Sequence, residues 1–256
     1  PSLIFRHEEK YDTWRRVKND IVGSKAASGI SLIMGETATS GSGGCPGLSN
    51  AFAAGFWWLH TLGELASLQY DQVFRQNFVG WSGLGDASHY TLAGEPGWSG
   101  AWVPSTNKAA AAAAGEGAST GWPPPLTANP DFYTSLLWKD LMSPVVLSVS
   151  LEVPASEGGV SVHAHCAAQS VAGEGAAVPV TGPLLWGAVT ISFANTMNRF
   201  VELQVSEACD CHEPLVVNTV PRLEYFLTAV DDSDSPATAE DPMLSRSVHF
   251  NGAKDP

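Results

Sequence analysis

The chain has 256 residues, of which 44% are hydrophobic and only 15% charged, with 9 Trp and 10 Phe. That composition supports a packed core in one large or two modest domains and excludes a disordered chain. Lys and Arg number 13 against 26 Asp and Glu, a formal net charge of −13, which repels polyanions and argues against nucleic acid as a partner.

Residues 11–25 carry apolar residues at helical spacing, and the pattern predicts Trp14, Val17 and Ile21 on one face. Gly23 and Gly29 mark the exit of that helix. Ile30 to Met34 then form a short apolar run that stops at Gly35-Glu36, as a buried strand of a parallel sheet would. Residues 37–49 are a Gly/Ser-rich loop, with Ser49 or Asn50 placed to cap the next helix. Residues 50–68 predict an apolar helix with Phe52, Phe56, Leu59, Leu62 and Leu65 in register. A second strand is expected over Asp71 to Val79. Helix, strand, loop, helix and strand in this order are the alternation of an α/β fold.

Residues 93–130 interrupt the pattern with Gly, Pro, Trp and a run of six alanines, and are expected to be a surface insertion. A helix comes next over 131–142, with Tyr133, Leu136, Leu137 and Leu141 on one side, stopped at Ser143-Pro144. Beyond it the segments VVLSVSLEV, GVSVHAHCA, WGAVTISFAN and RFVELQVS alternate with period two, and EYFLTAV and RSVHFNG are shorter. A series of short alternating strands predicts an antiparallel sandwich. The expected domains are therefore 1–143 and 144–256.

No apolar run reaches the roughly 18 residues that span a bilayer. The chain opens on Pro1 without a signal-like stretch and is expected to be a piece of a longer product. Four cysteines, at 45, 166, 209 and 211, are too few for a disulfide scaffold. His163 and His165 lie two apart on a predicted strand and so face one side. With Cys166, and with Cys209, Cys211 and His212 further on, they invite a metal reading, but the cysteine spacing is tighter than zinc sites use. Ordinary strand and loop residues are expected there, with no metal and no cofactor. The acidic run Asp231 to Ser235 lacks the spacing of a calcium loop and is expected to be a solvated turn.

One carboxylate stands out. Glu36 closes an apolar strand just before a glycine-rich loop. Catalytic groups of (β/α)8 barrels occupy that position, although many strands also end in an ordinary polar residue.

The blocks MGETATSGSGG, LSNAFAAGFWWLHTLG and VFRQNFVG, and after them NPDFYTSLLWKDLMSPVVL, VHAHCA, GAVTISFAN, EYFLTA and LSRSVHFNG, resemble the heparanase family, glycoside hydrolase family 79. They cover most of the chain outside 93–130, in the family's order. The resemblance implies the C-terminal part of a (β/α)8 TIM barrel followed by a β-sandwich. It implies retaining hydrolysis beside glucuronic acid, with Glu36 of the GET motif as nucleophile. The two predicted strands become the seventh and eighth of the barrel. The acid/base Glu of the family sits on the fourth strand, in an N-terminal half that these residues do not match. Glu8, Glu9, Glu64 and Glu95 are not suited to replace it, so this chain alone is expected to be inactive without that half.

By the same resemblance, Gly41, Ser42 and Gly43 form the loop whose amides meet the sugar carboxylate, where the family often has Tyr-Gly-Gly. Gln76 matches a pocket glutamine. Tyr90 matches the tyrosine of a Gly-Asn-Tyr turn, with Ser88-His89 in place of the first two residues. The family's disulfide cysteine falls at Cys166. Its partner belongs to a final strand missing here, which leaves Cys166 free or paired with Cys209 or Cys211. The implied partner is a glucuronate-bearing polysaccharide or proteoglycan. The acidic balance favours a less sulfated one, such as a cell-wall proteoglycan side chain. A non-catalytic carbohydrate-binding protein or pseudoenzyme is the alternative. The expected location is extracellular or cell wall, lysosome or vacuole, with peripheral membrane association allowed.

Overall fold

The computed structural model describes residues 8–28, 31–41, 43–45, 47–80, 88–94, 127–151, 159–168, 189–197, 201, 224–229, 242–245, 248–250 and 253–254. Most of the predicted insertion, most of the strand expected over 199–206, and all of the acidic run at 231–235 lie outside them.

Helix α1 (Glu8–Ser28) leads into strand β1 (Ile33–Thr37), helix α2 (Phe52–Ser67) and strand β2 (Gln72–Arg75). β1 and β2 pair in parallel, so α2 is the crossover of a strand–helix–strand unit. Two-residue strands β3 (Val79–Gly80), β4 (Ala93–Gly94) and β5 (Thr127–Ala128) make a small mixed sheet beside it. Helix α3 (Pro130–Leu141) runs straight into strand β6 (Met142–Leu147). β6 pairs antiparallel with β7 (Val160–Ala167), and β7 with β8 (Val189–Asn195). A second antiparallel sheet joins β9 (Leu227–Ala229), β10 (Val248–Phe250) and β11 (Ala253–Lys254). The molecule is thus α/β followed by antiparallel β. Among the described residues no closed barrel forms.

α2 is the centre of the packing. Trp57, Trp58 and Leu62 form one cluster on it, joined by Val73 and Trp138. Leu65 and Leu68 form another with Tyr11 and Trp14 of α1, joined by Met34, Tyr70 and Val73. Its opposite surface meets β6, β7 and β8. A helix covered on most sides must be apolar on most sides, and ten of the fourteen residues from Phe52 to Leu65 are buried. The predicted single stripe is corrected accordingly. Phe56 and Leu59 are only half-buried, while Trp57, Trp58 and Thr61 are buried.

Other expectations are corrected in detail. Val17 is exposed, because Tyr11 and Trp14 take the contact with α2 one turn earlier. β1 is not buried: Ile33 and Glu36 are exposed, since one neighbouring strand covers only part of it. Neither Ser49 nor Asn50 caps α2. Ser49 Oγ accepts from the Cys45 amide at 2.9 Å and Asn50 Oδ1 from the Gly47 amide at 2.9 Å. The Phe52 amide donates instead to the Ser245 carbonyl at 2.6 Å. The second strand is shorter than expected: hydrogen bonding leaves β1 at Gln76, and the Ala93 amide then takes the Phe78 carbonyl at 2.9 Å. The two ends of the predicted insertion are paired to each other as β4 and β5. In α3 the buried residues are Pro130, Asp131 and Thr134, whereas Tyr133, Leu136 and Leu137 are half-buried.

Candidate active site

Glu36 is the penultimate residue of β1, at the carboxyl end of the parallel pair. Its orientation depends on a bulge. Met34 pairs with Val73, but Thr37 pairs with Arg75, so β1 has one residue more than β2 over this stretch. Met34 and Val73 pack on the helices. Thr37 is buried, and the Arg75 guanidinium lies 5.2 Å and 5.4 Å from the Trp57 and Trp58 ring centres, so that pair also faces α2. Strict alternation from Met34 would send Glu36 toward the helices. The extra residue turns it to the exposed face, where Ile33 and Phe74 are 48% and 52% exposed.

At the Thr37 end of β1 lies a buried ion pair. Arg75 Nη2 meets Asp131 Oδ2 at 2.7 Å, with the side chains 4% and 0% exposed. Arg75 Nη1 also donates to the Gln76 carbonyl at 3.1 Å and the Thr37 carbonyl at 3.4 Å. Burial pushes the Asp131 carboxyl up to about 6, against the opposing pull of Arg75. The pair ties the start of α3 to the ends of β1 and β2. Sequence patterning did not single it out. Its one signal was an acidic residue in the first turn of a helix that begins Asn-Pro-Asp.

Gln76 donates its amide to the Thr37 carbonyl at 3.0 Å, which sets it next to the Glu36–Thr37 strand end. Gly41 accepts from the Gly44 amide at 3.2 Å and closes a tight turn. Gly43 and Gly44 hold φ of +90° and +88°, a conformation that favours glycine. The Gly43 carbonyl accepts from the His89 amide at 2.6 Å, and the Tyr90 amide lies 3.1 Å from where a Gly44 side chain would begin. The structure therefore joins Gln76 to the Glu36 strand, and the Gly43 turn to the 88–90 loop that carries half-buried Tyr90. Ser42 lies outside the described residues.

His163 and His165 are both buried on one face of β7 but do not converge. His165 Nδ1 is 2.8 Å from the Ser143 carbonyl, and its ring meets Trp138 edge-on. His163 is 3.3 Å from His60 of α2 instead. Cys45 and Cys166 are free thiols; Cys209, Cys211 and His212 lie outside the described residues.

A parallel strand–helix–strand unit with a carboxylate at its carboxyl end, followed by antiparallel sheets, defines an α/β-plus-β protein. The particular likeness comes from its relatives: the chain is similar to heparanases and to a plant glucuronidase. It is 32% identical to heparanase of Mus musculus over 145 residues, which cover 57% of this chain and 20% of that protein. It is 29% identical to baicalin-beta-D-glucuronidase of Scutellaria baicalensis over 148 residues, 58% of this chain and 20% of that protein. It is 30% identical to inactive heparanase-2 of Homo sapiens over 138 residues, 50% of this chain and 17% of that protein. The chain thus spans about a fifth of the length of these curated relatives. No protein-family model matches it.

Proposed function

We propose that this chain is the nucleophile-bearing part of a retaining glycoside hydrolase that cleaves glycosidic bonds in glucuronate-bearing glycans. The observation that carries the reading is Glu36, turned by the β1 bulge onto the open face at the carboxyl end of a parallel strand pair. In this reading β1 and β2 are the last two strands of a (β/α)8 barrel, and residues 1–143 and 144–256 are barrel and sandwich portions. The half-exposed apolar residues Ile33 and Phe74 support it, since further strands in a barrel would enclose that face. Glu36 attacks the anomeric carbon. A second carboxyl about 5–5.5 Å away protonates the leaving oxygen and later activates water. That acid belongs to the N-terminal half of the barrel, which the activity requires.

Gly41, Ser42 and Gly43 supply amides to the sugar carboxylate, and Gln76 and Tyr90 flank the sugar. Relatives named heparanase and baicalin-beta-D-glucuronidase support a glucuronate-bearing substrate. A secreted, cell-wall, lysosomal or vacuolar location belongs to the same proposal. No helix among the described residues is long and apolar enough to cross a membrane.

The test is trapping with a mechanism-based glucuronide on the full-length product, followed by peptide mapping. Label on the peptide holding Glu36 is the expected result, and label on another carboxylate overturns the assignment. The similarity to inactive heparanase-2 favours a second reading, a non-catalytic glycan-binding protein. Glycan binding without any label would select it.

A further inference from the structure

We propose that His60, Glu64 and His163 form a site for a divalent transition-metal ion of the zinc class that pins α2 to β7. One ligand atom from each of the three lies within 4.8 Å of the others. His60 and Glu64 are one turn apart on α2, so their side chains share a face. His163 reaches them from β7.

The spacing of the nitrogens is the central observation. His60 Nδ1 and His163 Nε2 are 3.3 Å apart. Two nitrogens at about 2.0–2.1 Å from one tetrahedral zinc are separated by about 3.3–3.4 Å. This approach is built into the helix. A Cβ on Gly63 would overlap the His163 ring, so only glycine at that position admits the imidazole. Ser161 Oγ lies 2.8 Å from His60 Nδ1 and 3.0 Å from His163 Nε2, and its single proton serves one of them at a time. The Tyr11 ring meets the His60 ring edge-on at 5.2 Å and fixes its plane. Arg15 holds the Glu64 carboxylate through Oε2 at 3.4 Å from the solvent side.

Two imidazoles and one carboxylate are a zinc ligand set that leaves a fourth position for water. Nitrogen and oxygen donors without thiolate disfavour soft ions such as Cu(I). The ion would bridge two elements, because its ligands come from the helix between β1 and β2 and from the antiparallel sheet, while its fourth position stays open to water. The site is separate from Glu36 and does not depend on the hydrolase reading. It also differs from the sequence-level grouping of His163 with His165 and Cys166: a ligand set drawn from α2 is visible only once β7 lies across that helix.

The experiment strips the full chain with a chelator and titrates it with Zn(II) and, separately, Co(II). The expected result is one ion per chain. At zinc a hundredfold above its Kd, the melting midpoint rises by roughly 5–10 °C. Co(II) should give visible bands of a nitrogen/oxygen site without a thiolate charge-transfer band. His60→Asn and Glu64→Gln should each weaken binding at least about 100-fold, more than loss of a supporting second-layer partner would. No uptake overturns the proposal, as does uptake that survives both substitutions. A thiolate band also overturns it, by moving the ion to cysteine ligands. The Co(II) spectrum is read on the unsubstituted chain, so a variant that fails to fold leaves the test decisive.

Discussion

At the residue scale, a single extra residue in β1 decides where Glu36 points. If Glu36 is the nucleophile, Glu36→Gln in the full-length product should lower kcat by at least roughly a thousandfold and leave the melting midpoint nearly unchanged, because the side chain is exposed. Turnover assays beside a thermal melt check both halves of that expectation. Asp131 behaves differently, because it is wholly buried against Arg75. Above about pH 6, where the pair is ionised, Asp131→Ala leaves the Arg75 guanidinium buried without its counter-charge and should cost about 3–5 kcal/mol, measurable by urea denaturation. The pH dependence comes from the raised carboxyl. The fold holds its proton up to about 6, whereas the unfolded chain releases it near 3.8. The stability this group contributes is therefore fully present below pH 3.8 and is lost as the pH rises through about 6. The stability of the native chain relative to Asp131→Asn should fall between those two values, and paired melts across that range would show it. Above that range the carboxylate is ionised and the ion pair with Arg75 is complete.

At the element scale, α2 joins the two kinds of structure. Trp57 and Trp58 take the β2 side, Leu65 takes α1, and Gly63 admits a histidine from β7. Gly63→Ala sets two effects against each other. Alanine favours the helix by up to about 1 kcal/mol, but its Cβ enters the His163 ring. Overpacking of that kind costs roughly 1–3 kcal/mol and should win. Adding His163→Ala should recover part of the loss, giving a coupling of roughly 0.5–3 kcal/mol in a double-mutant cycle. The same crossing explains the alternation in β7. Its polar residues Ser161, His163 and His165 are the buried ones, and Val160, Val162 and Ala164 are half-buried on the other face. A polar face turned inward is tolerable only because these residues hydrogen-bond across to α2 and to the Ser143 carbonyl.

At the scale of the whole molecule, charge and partial burial set the behaviour. A net charge of −13 works against a densely sulfated polyanion. The chain should therefore elute from heparin at or below an ionic strength of about 0.15 M, and tight retention that salt releases would count against the less sulfated substrate. The half-exposed Ile33, Phe74 and Phe78 lie at or just beyond the β1–β2 pair. They give this region an apolar surface.

Local periodicity alone determined the existence and type of α1, β1, α2, β2, α3 and the strands β7 and β8, because strong helical and period-two patterns are short-range signals; β6 runs Met142–Leu147 through the expected Ser143-Pro144 stop and ends before most of the strand expected over 145–153. The motif around Glu36 likewise carried the resemblance to heparanases without any coordinates. Tertiary structure decided the rest. The bulge arises from pairing with a strand 39 residues further along the chain, as the Ile33–Gln72 register shows. The cap of α2 comes from Ser245, beyond the reach of any local capping signal. The Arg75–Asp131 pair and the His60–Glu64–His163 cluster bring together residues far apart in the chain. Side-chain periodicity says which face a residue takes on its own element, but which elements meet there is a property of packing.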